Sequence, residues 1–462
     1  MGAGVPAGDA GVEGSAPATR PTSFGVALAV VAGLGLVWRL AYIAVAKRPV
    51  DVCGQERCGD AVYYMAQAWR LAEAGSFDDP ARLGTPAADH PPVTALLLTP
   101  AAVVRDQTVL GGRLTMAVVG TATVVVLALL ARRLAGDTAG LVAAGLAAAN
   151  PNLWINDALP MSEAPAALVI AVALLCTHRL LDRPDLGRAA VLGAVCGLAV
   201  LTRAELALLV PLTIAPAVLT RRALPLVRRA ALVGVVGGLA VVVVAPWSLW
   251  QLTRFSEPVL VSTNEGLTWV GANCEATYEG GGVGFWNLDC ARAVEPTVPD
   301  GADQSVESSV YREAGLSYLG DHLDQLPGVV AVRIGRTWGV YHPDQMVWLN
   351  QGEGRERWAS WAALGTMWAL LPLAVVGGVA LRRRRVPVWP LASMAVLATL
   401  TAAAFYGIVR FRLPFDVAET VLAAVGIVVA LRWWQHGRHR PAPDADTGPG
   451  PEPERPSAVL GG

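Results

Sequence analysis

Residues 230–250 read AALVGVVGGLAVVVVAPWSLW, 21 positions without an ionisable side chain, and Arg221, Arg222, Arg228 and Arg229 stand just before them. A soluble helix shows charge on one face. A run that is apolar all round matches the ~20 residues needed to cross about 30 Å of hydrocarbon. Working outward, similar segments appear at Phe24–Ala46, Leu114–Leu130, Ala139–Ile155, Ala164–Cys176, Ala189–Leu201, Leu206–Leu219, Trp361–Leu381, Val388–Tyr406 and Val417–Leu431. Several are shorter than 20 residues as bounded, so their ends are soft by a few positions. The expected fold is an all-α multi-pass membrane protein with about ten transmembrane helices.

Composition agrees. The 462 residues are 54% hydrophobic and 16% charged, with a mean hydropathy of +0.46, whereas a soluble domain carries about 25% charge. A net charge of -1 argues against a nucleic-acid partner, which requires a basic face. Lys47 is the only lysine. With the Ala, Val and Gly excess, that reads as GC-rich coding rather than function.

Charge also orients the spans. Arg132-Arg133, Arg179/Arg183/Arg188, Arg221-Arg222/Arg228-Arg229, Arg382 to Arg385 and Arg432/Arg438/Arg440 all close or join spans on one side. By the positive-inside rule that side is cytoplasmic, and ten crossings put both termini there. Residues 47–113, 156–163, 202–205, 251–360 and 407–416 then lie outside. Ala44-Val45-Ala46 resembles a signal-peptide cleavage site, but the apolar run before it exceeds the roughly 7–15 residues of such leaders, so a retained span is favoured.

The chain divides accordingly. Residues 1–22 and 433–462 are expected to be disordered cytoplasmic ends. Residues 23–250 form a transmembrane module with a first external loop at 47–110, 251–360 a larger external loop or lid, and 361–432 the last spans. In the first loop, Ala61 to Ala74 reads as a helix ended by Gly75, and Val93 to Val104 as an apolar helix too short to cross. Within the lid, helices are expected near 304–322 and 327–340. Trp247, Trp250, Trp358 and Trp361 suit an interfacial belt.

Of six cysteines, Cys176 and Cys196 fall inside spans. Cys53 and Cys58 fall in the first external loop, Cys274 and Cys290 in the larger one. Two local disulfides are expected there, one within each pair. A zinc site competes with that reading, but no His stands at ligand spacing from either pair.

Ionisable groups at span edges are costly to keep there and are candidates for function. Gly59-Asp60-Ala61-Val62-Tyr63-Tyr64 places Asp60 as either a helix N-cap or a general base. Asp89-His90-Pro91-Pro92 reads as a cap followed by prolines, which leaves His90 free to face a phosphate. Asp157 and Ser162-Glu163 bring two further carboxylates to a short outer turn. Arg203, in Leu201-Thr202-Arg203-Ala204-Glu205, either pairs with Glu205 or offers a planar fork to a lipid phosphate. Arg410-Phe411-Arg412 sets two cations outside, against the positive-inside trend, where an anion is wanted.

Together these residues resemble the GT-C membrane glycosyltransferases, in particular the branch containing protein O-mannosyltransferases and the lipid A aminoarabinose transferase. The likeness rests on Asp60 and the helix after it, Asp89-His90-Pro91-Pro92, Ser162-Glu163, Leu201-Thr202-Arg203 and Arg410-Phe411-Arg412-Leu413-Pro414, spread from about residue 24 to 432. It implies a polyprenyl-phosphate-linked sugar donor, an extracytoplasmic acceptor (glycan, protein or lipid), Asp60 as the catalytic carboxylate and Arg203 near the donor phosphate. Asp157 or Glu163 would orient the acceptor or share the base role, with Asp89, His90, Arg410 and Arg412 on the donor side. Many such enzymes carry Asp-Glu where Asp60-Ala61 stands, and Lys where His90 stands, which leaves the acceptor and any divalent cation open. No other cofactor is implied. A flippase of lipid-linked saccharides and a non-enzymatic envelope-assembly protein are the rival functions. The first calls for charges at mid-bilayer; the second calls for tolerance of substitution at Asp60 and Arg203.

Overall fold

The computed structural model describes residues 23–47, 59–80, 82, 84–104 and 109–438; of 436–438 only the backbone is described. The disulfide expected between Cys53 and Cys58 falls outside these residues, so that pairing has no counterpart in the described structure. The expected disordered end at 1–22 also lies outside them; of the end expected at 433–462, residues 433–438 instead continue the last helix, whose hydrogen-bond ladder runs on past the apolar segment, and the rest lies outside. The described chain is helical, and its one β feature is an isolated bridge between Asp78 and Pro86. In order the helices are α1 (Ser23–Ala46), α2 (Ala61–Ala74), α3 (Val93–Val104), α4 (Val109–Ala135), α5 (Asp137–Ala149), α6 (Pro151–Trp154), α7 (Glu163–Asp182), α8 (Leu186–Val200), α9 (Ala215–Leu219) and α10 (Leu226–Gln251). Then follow α11 (Asn264–Ala272), α12 (Glu275–Tyr278), α13 (Leu288–Val294), α14 (Gln304–Asp321), α15 (Leu326–Thr337), α16 (Pro343–Gly352), α17 (Arg357–Arg383), α18 (Trp389–Ala404) and α19 (Leu413–Arg438).

Among the described residues, six segments are long and apolar enough to cross a membrane: α1, α4, α7, α10, α17 and Val409–Gln435. Their outer faces are apolar. On α1, Val26, Val30, Leu34 and Val37 follow one another at helical spacing and are all more than half exposed, while Phe24, Leu28, Ala32 and Gly35 turn inward. An exposed apolar stripe of this length is stable only against lipid, and the chain is a membrane protein. The other four expected spans coincide with shorter apolar helices, for identifiable reasons. The helix expected at Ala139–Ile155 stops at Asn150, because Pro151 cannot continue the hydrogen-bond ladder and instead starts α6. The segment at Leu206–Leu219 is not one α-helix. Pro211 and Pro216 break it into a 3₁₀ turn, a wide π-type turn over Leu209–Ile214 and α9.

The last helix, α19, lies at the centre and packs on α17, α18, α5, α4 and α7. Small residues let the backbones meet. A Cβ built on Gly377 would stand 1.9 Å from the Leu422 carbonyl oxygen, and one on Gly426 would stand 2.0 Å from that of Leu373. Without a hydrophobic drive between helices in lipid, such close approach supplies the attraction.

The 251–360 segment folds as α11 to α16. Its α14 and α15 fall where helices are expected, and Cys274 and Cys290 are joined in a disulfide that ties α12 to α13. Also as expected, α2 and α3 span Ala61–Ala74 and Val93–Val104. Gly75 ends α2 at φ +65°, and its N–H donates to the Leu71 carbonyl.

Candidate functional site

Asp60 occupies the position before α2, but its carboxylate makes no capping hydrogen bond. It accepts one from Arg410 Nη2 at 2.5 Å, across 350 positions of sequence. Between the two readings of Asp60, the geometry therefore favours a group facing the interior over a cap. Likewise Ser162 precedes α7 without capping it, and its hydroxyl accepts from Arg203 Nη1 at 3.1 Å.

A cavity of about 560 Å³ opens between these elements, and its lining includes Asp60, Tyr64, His90, Ser162, Arg203 and Arg410. Its apolar lining includes Leu208 of the broken segment, Leu400 and Ala404 of α18 and Phe411 of the turn before α19, and the Arg203 guanidinium lies 6.0 Å from the Phe411 ring centroid. Ser262, Asn264, Glu265 and Trp269 from the lid segment roof it.

Two prolines and a stacked ring orient His90: its imidazole lies on Tyr64 with centroids 4.8 Å apart, and Nε2 is 3.8 Å from Asp60 Oδ1. Burial lowers the His90 pKa below its usual value, Asp60 opposing and Arg410 and Arg203 adding to the fall. The ring is therefore neutral at pH 7 in this state. For Asp60, burial alone would raise the pKa. Arg410, His90 and Arg203 outweigh it and hold the carboxyl well below the usual carboxylate range.

Behind the cavity wall the network deepens. Glu163 is fully buried, and its Oε1 lies 3.3 Å from Arg203, 3.4 Å from Arg410 and 3.6 Å from Arg355. Its second oxygen has no hydrogen-bond partner among the described residues. Arg203 also pairs with Glu205 at 2.5 Å, so the local pair and the cavity-facing position coexist. Arg410 Nη1 reaches Glu353 at 2.6 Å, and Glu353 pairs in turn with Arg355. Glu353 and Arg355 were invisible as site residues in the sequence, because nothing in a long polar loop marks its final turn as returning to the membrane surface.

Three expected site residues lie elsewhere. Asp157 is bound to Arg39 of α1 at 2.6 Å, in a slot that exists because residue 120 is Gly: a Cβ there would meet Asp157 Oδ2 at 2.0 Å. A buried arginine inside a span requires such a partner, so this carboxylate serves α1. Arg412 is held by Asp416 and Asn152, each at 3.0 Å. Asp89 faces Gln304 Nε2 at 3.4 Å rather than the cavity. Burial raises its pKa to about 7, with Asp79 and Glu307 adding to the rise and Arg82 and Gln304 opposing. Among the described residues no three His, Cys, Asp or Glu side chains gather as a metal site, and the carboxylates at the cavity are taken up by guanidinium groups.

Residues 89–250 match the family described as dolichyl-phosphate-mannose-protein mannosyltransferase. Among solved structures, the fold is similar to the Archaeoglobus fulgidus oligosaccharyltransferase in its apo form, with 13% identity, a TM-score of 0.53, and coverage of 91% of this chain and 52% of that one. The same protein tethered to an acceptor peptide containing the NVT sequon gives 12% identity, a TM-score of 0.56, and 91% and 51% coverage. ArnT from Cupriavidus metallidurans bound to undecaprenyl phosphate gives 17% identity over 89% of this chain and 79% of that one, with a TM-score of 0.43. The chain spans about half the length of the oligosaccharyltransferase chains it matches. No curated protein matches it by sequence. In a sequence segment and in fold, the chain resembles the GT-C membrane glycosyltransferases.

Proposed function

We propose, from that resemblance to the GT-C membrane glycosyltransferases, that this chain transfers a sugar from a polyprenyl-phosphate donor to an acceptor hydroxyl at the extracytoplasmic face. The observation that carries the reading is the convergence of Asp60, His90, Arg203 and Arg410 on one cavity that also has apolar lining. Charged groups together with apolar surface are what a prenyl-phosphate sugar requires, and the matched family is described by such a donor. The positive-inside pattern supports ten crossings, with the cavity outside and both termini in the cytoplasm.

In this mechanism the donor's phosphate binds Arg203 and Arg410, and its prenyl chain follows Leu208, Leu400 and Phe411. Asp60 takes the proton of the acceptor hydroxyl. The acceptor oxygen forms a bond to the anomeric carbon as the bond from that carbon to the phosphate oxygen breaks. The phosphate leaves with its electron pair against the two guanidinium groups, and one in-line displacement inverts the anomeric centre. Asp60 held by Arg410 is a weak base. Once the phosphate draws Arg410 away, the carboxylate's affinity for a proton rises, so donor binding arms the base. Glu163, surrounded by three arginines, positions Arg203 and Arg410 rather than exchanging protons. The lid segment 251–360 excludes water from the cavity.

The test is transfer of labelled sugar in reconstituted membranes. Asp60→Asn should fold and lose roughly 10²- to 10⁴-fold in rate, the usual worth of a general base. Full activity in a folded Asp60→Asn protein removes the base assignment. Movement of a lipid-linked sugar without a new covalent product points to a flippase instead.

A further inference from the structure

A second charged cavity, of about 690 Å³, lies at the other end of the spans. It is lined by Arg133 from the last turn of α4, Arg179 of α7, Arg183 and Asp185 of the following turn, and Arg188 and Val191 of α8. The cavity is within the ~300–1,000 Å³ of small-molecule clefts. α7 connects the two sites: its first residue, Glu163, stands behind the Asp60 cavity, and its last two turns reach this one. Twenty residues of helix span ~30 Å, the thickness of the hydrocarbon layer. The arginine cavity therefore faces the opposite leaflet, whichever way the protein is inserted.

Its charges are only partly matched. Arg133 is paired with Asp182 at 2.5 Å, and Arg188 with Asp185. Arg179 and Arg183 have no carboxylate partner among the described residues, so two guanidinium groups face the cavity uncompensated. Beside them Val191 is 57% exposed, an apolar wall continuous with the lipid-facing side of α8. Headgroup-sized space, unmatched planar cations and an adjoining apolar wall together describe the surroundings of a lipid phosphate at the membrane boundary.

We propose that this cavity binds the phosphate headgroup of an anionic glycerophospholipid, held by Arg179 and Arg183 with an acyl chain along Val191. The site is separate from the Asp60 cavity and stands or falls independently of the transferase reading.

Native mass spectrometry of the full chain, released from neutral detergent after incubation with phosphatidylglycerol or phosphatidylcholine, tests it. The parent protein should retain phosphatidylglycerol in preference. An arginine at the membrane surface is worth about fivefold in binding an anionic lipid. Arg179→Gln with Arg183→Gln should therefore weaken retention about 25-fold, and Arg179→Lys with Arg183→Lys should keep most of it. Both sites are exposed, and unchanged thermal melting will show that the variants fold. The double substitution Arg382→Gln with Arg384→Gln, in another basic cluster, should leave retention unaltered. Equal loss from both double substitutions, or none from the first, overturns the site in favour of diffuse attraction. Displacement of the lipid by millimolar glycerol 3-phosphate overturns the lipid assignment in favour of a soluble phosphate.

Discussion

Replacing Arg410 with Gln removes the cation on which three carboxylates converge: Asp60 at 2.5 Å, Glu353 at 2.6 Å and Glu163 at 3.4 Å. Breaking a buried pair by removing one partner costs about 3–5 kcal/mol, since the remaining charge stays buried. Asp60 is 27% exposed and Glu163 retains Arg203 and Arg355, so the low end, about 3 kcal/mol, is expected at pH 7–8. The pH dependence is the sharper readout. In the parent, Asp60 has a pKa below its unfolded value. Its stabilisation is present above that unfolded value, near pH 4, and is lost only as pH falls further. Without Arg410, the strongest force lowering that pKa is gone, and burial raises it above the unfolded value. The contribution then reverses: stability is retained at low pH and lost as pH rises through the new folded pKa. Arg410→Gln should melt several degrees below the parent at pH 8, and the gap should narrow as the pH is lowered to 5. Intrinsic tryptophan fluorescence during thermal ramps in detergent, at half-unit pH steps, measures both curves. A gap that is constant from pH 5 to 8 refutes the reasoning, since it would mean that Asp60 does not depend on Arg410 for its charge.

Other consequences can be checked alongside. Asp89, with its pKa raised to about 7, costs stability as pH rises from about 4 to about 7; Asp89→Asn should therefore gain on the parent across that window and hold a constant advantage above it, read from melting midpoints. Reducing the Cys274–Cys290 disulfide, which closes a separation of 16 residues, should cost about 3 kcal/mol of lid stability, seen as faster proteolysis within 251–360 once thiol labelling shows both cysteines free. Gly377→Val should place a side chain against the Leu422 carbonyl and lower the yield of folded protein by forcing α17 from α19, a cost of at least about 1–3 kcal/mol. Gly234→Ala, where a Cβ meets nothing within 4 Å, should leave that yield, read by size-exclusion chromatography for both variants, unchanged.

Where the rules that read a sequence are local, they were enough. The length and lack of charge of 230–250 announce a span because lipid offers no partner for a polar group, and that argument needs no neighbour. Gly75 ends α2 because its φ is open to it, and the 12 apolar residues of α3 are too few to cross; both follow from the residues themselves. The proline breaks at Pro151 and Pro216 were also on view, but hydropathy counted them as apolar and so extended the spans through them.

What only the tertiary structure decided is who faces whom. Asp60 and Asp157 look alike in sequence, as external acids near a span. Helix packing sends one to Arg410 at an open cavity and the other to Arg39 in a closed slot beside Gly120. Arg410 and Arg412 stand two residues apart, yet the tight turn before α19 points one at the cavity and turns the other toward Asn152 and Asp416. Glu353 and Arg355 join the site only because the turn after α16 brings Glu353 beside Gly59 and Arg410. A sequence specifies which groups are too costly to leave unpaired in a membrane. Their partners are set by helix contacts between segments far apart in the chain, and nothing in the local pattern records those distances.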